Sequence, residues 1–315
     1  MAENSKISWT DHTLNFWIGC TKVSPGCKFC YAEVDTFARR ERSNGRELWG
    51  PGGERHRTSE ALWKNPYKWE KNSQWVECTS CSWRGNFKET SGPEDACPNC
   101  DRGYSMKTTR QRVFVSSLAD ICEIHPQITN DMRKEIAQIV KDCRNLDFLF
   151  LTKRIENFNN LWLDLFGGTL PENLWVGTTV EDQKWADIRI PELLKVPAKV
   201  RFLSCEPLLG PVHFNGSKEL RDAFENKKIH WVIGGGESGA RARPMITLWI
   251  RSLRDQCKEA GIPFHFKQWG EWYPCLDRDT GEQRDDMVRI GKKNSGRLLD
   301  GVEHNGFPEV IHDNL

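Results

Sequence analysis

Seven of the chain's twelve cysteines fall into two tight groups: Cys20, Cys27 and Cys30, then Cys78, Cys81, Cys97 and Cys100. Thiolate sulfur is a soft ligand that suits zinc, copper(I) and iron–sulfur clusters. The first group lies in GCTKVSPGCKFCYAE, residues 19–33, with the spacing C-x6-C-x2-C. A cubane cluster ordinarily takes four cysteines. Three in one loop leave one iron open to a small molecule, much as an open position separates a catalytic zinc site from a structural one. The second group, CTSCSWRGNFKETSGPEDACPNC at 78–100, is spaced C-x2-C-x15-C-x2-C. Paired knuckles of this kind form a tetrahedral zinc site, and the same thiolates also bind a rubredoxin-like iron. Scattered thiols such as Cys122, Cys143, Cys205, Cys257 and Cys275 are usually small buried hydrophobes.

The elements that must position these groups alternate along the chain. Apolar runs predict strands at Asn15–Ile18, Val113–Ser116, Asp147–Leu151, Leu174–Thr178, Val200–Ser204, His230–Gly234 and Pro263–Lys267. Helices are predicted between them at Tyr31–Arg42, Asn130–Cys143, Glu156–Phe166, Glu181–Leu194, Ser217–Asn226 and Thr247–Ala260. Such alternation, with continuously apolar strands, gives a parallel sheet covered by helices. The expected fold is α/β, a complete or partial parallel (βα) barrel with an inserted zinc-ribbon-like module; an open doubly wound sheet is the alternative. Residues 1–42 and 112–273 form the barrel, 43–111 the insertion with its four-cysteine module, and 274–315 a C-terminal cover or tail. Each strand ends in polar residues: Ser116–Ser117 with Asp120, Thr152–Lys153–Arg154, Thr178–Thr179 with Glu181, Ser204–Cys205–Glu206, Glu237–Ser238, and Lys267–Gln268. Barrels of this type carry their catalytic groups at these C-terminal strand ends.

A three-cysteine loop after the first strand, Phe29 before the last cysteine and the βα units that follow resemble the radical S-adenosylmethionine superfamily. More narrowly, the chain is similar to a phage- and bacterium-associated family named for its three-cysteine motif. That similarity is carried by GCTKVSPGCKFCYAE, FLFLTKRIENF, LWVGTTVED, RFLSCEPLLGPV, WVIGGGESGARARP and FHFKQWGEW. The loop departs from the superfamily's C-x3-C-x2-C by three extra residues. Ser116–Ser117–Leu118–Ala119–Asp120 stands where a Gly-Gly-Glu element usually follows the second strand, and a GGGESG stretch occurs instead at Gly234–Gly239. The resemblance implies a [4Fe-4S] cluster on Cys20, Cys27 and Cys30, with S-adenosylmethionine bound at the open iron by its amino and carboxylate groups. It further implies an electron donor for the cluster and reductive cleavage to methionine and a 5′-deoxyadenosyl radical that abstracts hydrogen from a substrate. Ser116, Ser117, Lys153, Thr178 and Glu181 are then expected to hold the cofactor. Glu206 and Glu237 either share that task or contact the substrate. Glu206 and Cys205 are the catalytic candidates; Cys205 either returns a hydrogen atom to a substrate radical or simply packs.

The 45 basic and 44 acidic residues nearly cancel. That excludes a whole-protein field that attracts nucleic acid and leaves room for a local basic patch. Trp49, Trp63, Trp69, Trp75 and Trp83 interleave with Lys64, Lys68, Lys71 and Arg84, either as packing or as a platform for bases and phosphates. With the zinc module and the family's similarity to the photoproduct-lyase branch, this points to a DNA or RNA substrate, or a nucleobase. A non-enzymatic alternative is a zinc-stabilised nucleic-acid-binding protein in which His12 completes a second zinc site with the first three cysteines. No run approaches the roughly 20 apolar residues needed to cross a bilayer. MAENSKISWTDH lacks the pattern of a secretory signal, so the expected location is the cytoplasm.

Overall fold

In the computed structural model, which describes residues 5–71, 74–90 and 96–309, the apolar runs form one seven-stranded sheet. Its strands are β1 (His12–Leu14), β2 (Gln111–Val115), β3 (Leu146–Thr152), β4 (Leu174–Thr179), β5 (Arg201–Cys205), β6 (Trp231–Gly235) and β7 (Phe264–Gln268). They are hydrogen-bonded in chain order, and every pairing is parallel. An order without reversal has no switch point, so the doubly wound alternative does not apply. The sheet curls into a half-barrel with β1 and β7 as its edges. The free edge of β7 is covered by the tail: Phe266 N–H donates to His304 O and Gly306 N–H to Phe264 O, both at 2.9 Å. An uncovered edge would invite pairing with another chain.

Helices α1 (Thr36–Ser43), α2 (Asn130–Asp142), α3 (Gln183–Leu194), α4 (Lys218–Glu225) and α5 (Thr247–Ala260) follow the apolar periodicity. Thr129, Asp182 and Ser217 cap α2, α3 and α4 with side-chain oxygens, satisfying backbone N–H groups that a helix start leaves unpaired. Three expected elements differ. The first strand lies earlier than Asn15–Ile18, because Asn15 turns its amide to Leu118 N–H and Ser117 Oγ; Trp17–Ile18 pairs instead with His56–Arg57. The Tyr31–Arg42 helix is broken at Asp35, whose carboxylate accepts from Phe37 N–H and starts α1 afresh. In place of a regular helix at Glu156–Phe166, short 3₁₀ and π turns run from Ile155 to Phe166.

Strand side chains alternate between two faces, and two separate apolar clusters show which face is which. Val113, Val115, Phe148, Phe150, Val176, Leu203 and Cys205 pack with Ile136, Leu193, Ile250 and Cys257 of the helices. Phe114, Leu149, Trp175, Phe202, Trp231 and Ile233 fill the concave face with Trp9. Gly177 makes that filling possible, since a Cβ there would come within 2.5 Å of the Phe202 ring.

The expected insertion divides in two. Trp63 and Trp69 belong to the main core, and Leu48 and Trp49 pack with Ile18 beside Cys20 and Cys30. A separate three-stranded antiparallel sheet, formed by Trp75–Cys78, Arg84–Asn86 and Met106–Thr108, carries the four-cysteine group. Among the described residues no helix is long and apolar enough to cross a membrane.

Candidate active site

The three-cysteine loop lies across the C-terminal ends of the strands, and four of those ends hold it. Just beyond β4, Glu181 is fully buried; its carboxylate accepts from the Ser24 hydroxyl at 2.5 Å and from Gly26 N–H at 3.0 Å. Arg189 of α3 stands 3.5 Å from the same carboxylate and Lys153 4.0 Å. Beyond β3, Arg154 pairs with Asp120 at 2.8 Å, and its guanidinium also donates to Thr21 O and, at 3.6 Å, to Cys20 Sγ. Glu123 accepts from Thr21 N–H and pairs with the buried Arg55 at 2.7 Å. Beyond β6, Glu237 holds Arg243, whose Nη2 donates to Pro25 O at 3.0 Å. The Tyr31 hydroxyl donates to Ser117 O at 2.7 Å.

Burial raises the thiols of Cys20 and Cys30 above their ordinary value. The neighbouring Asp120 carboxylate pushes Cys20 further up, while Arg154 works against it. Backbone N–H groups of Ala32 and Glu33 and the charge of Lys153 oppose the rise at Cys30. A cation bound to these sulfurs would reverse that preference, because metal ligation requires the thiolate.

Alternation carries the lumen row of each strand upward into the mouth. In β3 that row is Leu149, Leu151 and then Lys153; in β4, Trp175, Gly177, Thr179 and Glu181; in β5, Phe202, Ser204 and Glu206. Lys153 donates to Thr179 Oγ1 at 3.2 Å. Opposite it, both oxygens of Glu206 accept from Lys267 at 2.7 Å, and Gln268 Nε2 reaches Glu206 at 3.2 Å and Ser238 Oγ at 2.8 Å. Ser116 sits one residue past β2 in left-handed backbone, φ 68°, with its hydroxyl buried and, among the described residues, without a hydrogen-bond partner. Such a conformation costs a non-glycine residue about 1–3 kcal/mol and is over-represented at functional sites.

Of the residues singled out in the sequence, Ser116, Lys153 and Glu206 therefore stand at the mouth together with the loop. Glu181 and Glu237 reach the same place but are engaged in holding the loop. Ser117 accepts from Asn15 through its hydroxyl and from Tyr31 through its carbonyl. Thr178 and Cys205 lie on the opposite parity. The Thr178 hydroxyl donates to Thr152 O, and Cys205 is fully buried in the helix-side core. Burial alone raises the Cys205 thiol. Thr179, named among the strand ends, was given no role, and Arg243 and Lys292 were not singled out. Thr179 was legible from alternation, whereas the other two approach the site from the loop after β6 and from the tail.

Among the described residues, Cys78, Cys81, Cys97 and Cys100 bring their ligand atoms within 4.8 Å of one another. The 3.7 Å between Cys78 and Cys100 Sγ and the 3.6 Å between Cys81 and Cys97 Sγ match the ~3.8 Å edge of a tetrahedron built on Zn–S bonds of about 2.3 Å. Cys20, Cys27 and Cys30 form no such group among the described residues. Cys78 is held at about 6: burial opposes the thiolate, but the Ser105 hydroxyl and the N–H groups of Cys81 and Ser80 favour it.

This module docks at the other end of the barrel. Arg84 pairs with Asp11 at 3.0 Å and with Glu77 at 2.6 Å, and Asp11 immediately precedes β1. The module therefore sits at the N-terminal ends of the strands, whereas the three-cysteine loop lies across their C-terminal ends. His12 is also remote from the loop. It stacks on Trp69 at 4.2 Å and its Nε2 meets Gln111 Oε1 at 2.6 Å. Trp49, Trp63 and Trp69 are buried, and Arg84 is taken up by carboxylates, so they serve packing and docking rather than an exposed platform.

The chain belongs to the family described as "Protein of unknown function (DUF5131)", which matches residues 4–308. No curated protein matches it. No solved structure matches it.

Proposed function

Starting from a family with no assigned activity, we propose that the chain is a radical S-adenosylmethionine enzyme. One observation carries the reading: three thiols in a single loop are clamped over the mouth of a parallel half-barrel by buried strand-end charges. The donor set fits an iron–sulfur cluster with one open position. Cys20, Cys27 and Cys30 would hold it, and Arg154 and Lys153 supply positive charge beside thiolates that burial otherwise disfavours. Ser116, Lys153 and Glu206 would hold S-adenosylmethionine; the unpartnered buried hydroxyl of Ser116 is the kind of group a ligand satisfies.

When bound, a reduced cluster would supply the electron for cleavage of S-adenosylmethionine to methionine and a 5′-deoxyadenosyl radical. The chain's own part is positioning and exclusion of water. Trp175, Phe202, Trp231 and Ile233 close the floor of the mouth, while Glu181, Arg154 and Arg243 fix the loop above it. Lys267 and Gln268 fix the Glu206 carboxylate in one orientation. Cys205 faces away from this space and has a packing role.

Anaerobic reconstitution with iron and sulfide, followed by assay for 5′-deoxyadenosine under a strong reductant, tests the proposal. The intact chain is expected to turn brown and form the product. The variant with Cys20, Cys27 and Cys30 all changed to Ala is expected to do neither while keeping metal on the other four cysteines. Near-stoichiometric iron and sulfide in the triple variant, or a colourless wild-type chain, would overturn it.

A further inference from the structure

The half of the mouth opposite β2 and β3 is cationic, and most of that charge is unspent. Phe29, two residues after Cys27, is surrounded by Lys28, Arg241 and Arg243 at 5.3, 5.5 and 5.2 Å from its ring. Arg289 donates to Gly239 O at 3.0 Å in the loop that follows β6. The turn before Lys292 is fixed to the segment after β7: Gly291 N–H donates to Glu271 O at 3.0 Å and Ser295 Oγ to Gly270 O at 2.6 Å. The charges of Lys267, Glu206 and Glu271 act on Lys292 there.

The carboxylates on this side are mostly committed. Glu237 binds Arg243, Glu206 binds Lys267, and Glu271 lies 3.9 Å from Arg289. Lys28, Arg241, Lys292 and Lys293 enter no ion pair among the described residues, and all four are exposed. Tyr31, half exposed and pinned by its hydroxyl to Ser117 O, presents an aromatic face beside the same opening. Exposed cations bordering a fixed aromatic ring are what a single strand recognises: charge for the phosphates and a stacking surface for a base.

We propose that the mouth takes a single-stranded nucleic acid, its phosphates on Lys28, Arg241, Arg289 and Lys292 and one base directed inward past Tyr31 toward Glu206 and Lys267. This deepens the radical reading and rests on it for the chemistry, but it moves the nucleic-acid contact from the four-cysteine module to the mouth. With a net charge of +1 the chain offers no general attraction for a polyanion, so such binding depends on local patches of this kind.

The test measures affinity of the full chain for labelled single-stranded DNA and RNA oligonucleotides, with polyglutamate as a non-nucleic polyanion. Wild type is compared with an Arg241→Glu, Lys292→Glu variant and with a Lys68→Glu, Lys107→Glu variant on the insertion. Between about 50 and 200 mM salt, log affinity should fall linearly, and losing two phosphate contacts should flatten that slope by roughly 1.4. The mouth variant should bind at least ~10-fold more weakly at the lower salt, as the loss of two contacts at that slope implies. Its unchanged circular dichroism would show that it still folds. The insertion variant should bind as wild type does. The stronger of the DNA and RNA arms names the natural strand. Equal binding by wild type and the mouth variant, loss in the insertion variant alone, tighter binding to polyglutamate, or salt-insensitive binding throughout would each overturn the proposal. Formation of 5′-deoxyadenosine without nucleic acid reads the radical reaction separately, so the two can fail independently.

Discussion

Gly26 and Glu181 should behave as one energetic unit. A Cβ on Gly26 would lie 2.5 Å from Glu181 Oε1 and 2.6 Å from its Cδ, where ordinary contact begins near 3.4 Å. Gly26→Ala therefore forces the carboxylate back by 3.4 − 2.5 = 0.9 Å or pushes the loop up by that amount. Either movement takes the 3.0 Å bond from Gly26 N–H beyond hydrogen-bond range. A hydrogen bond to a charged group contributes roughly 1.5–3 kcal/mol, and overpacking costs about 1–3 kcal/mol, so Gly26→Ala should destabilise by about 2–3 kcal/mol. Glu181→Ala removes the same bonds and leaves Arg189 buried without its carboxylate, which should cost about 3–5 kcal/mol.

With Glu181 already truncated, the added methyl meets open space. The double variant should then be no less stable than Glu181→Ala alone, giving a coupling of about 2 kcal/mol. Urea denaturation of the four proteins without added iron measures the cycle. Absorbance after anaerobic reconstitution should fall in each single variant, because Cys27 directly follows Gly26. Additive losses, about 5–8 kcal/mol in the double variant, would refute the claim that Glu181 clamps the loop.

Cys205→Ala should leave 5′-deoxyadenosine formation intact and cost about 1–2 kcal/mol from the small cavity left in the helix-side core; loss of product with an unchanged melting curve would restore a reactive role. Elemental analysis should find about one zinc per chain that persists when the first three cysteines are replaced, and Cys97→Ala should release it while far-ultraviolet circular dichroism retains the barrel signal; no metal in either protein would refute the site. Burial, aided by the charges of Arg297, Arg112 and Lys267, depresses the imidazole of His265 well below its ordinary 6.5. Stability linked to the neutral ring is therefore complete above that value and is lost as pH falls, at up to about 1.4 kcal/mol per pH unit. His265→Gln should reduce the difference between urea midpoints measured at about pH 7.5 and 5.5, and an unchanged difference would refute the assignment.

The strands and most helices were legible because their signals are local. Apolar runs bounded by polar residues gave six strands to within two residues, and side-chain caps at Thr129, Asp182 and Ser217 mark helix starts. Strand alternation also separates the two faces of the sheet. Counting by twos from Phe202 reaches Ser204 and Glu206 and leaves Cys205 on the helix side; counting from Trp175 selects Thr179 over Thr178. Hydrogen bonding between distant segments was not legible. Nothing near Asn15 announces that Leu118 will end β1 there, and nothing near Lys292 shows that a tail will return to β7. The insertion misled for a related reason: alternating tryptophans and cations look alike whether they stack bases or pack under a neighbouring helix.

The two cysteine groups are held by different physics, and this separates their roles. The loop of Cys20, Cys27 and Cys30 has its backbone fastened by Glu181, Glu123, Arg154 and Arg243, so its shape is set by the barrel before any ligand binds. A site meant for chemistry benefits from such support, because positions must be kept while charge changes at the sulfurs. Among its described residues the module around Cys78, Cys81, Cys97 and Cys100 has short strands, and it is tied to the barrel base by the Arg84–Asp11–Glu77 network. Removing one member of a buried charge network is strongly destabilising, because its partner is left without compensation. Metal release should therefore loosen the module first and, by freeing Glu77 and Arg84, leave Asp11 and Arg112 poorly paired beneath the lumen. The four-cysteine site thus bears on the stability of the base, and the proposed chemistry belongs to the mouth.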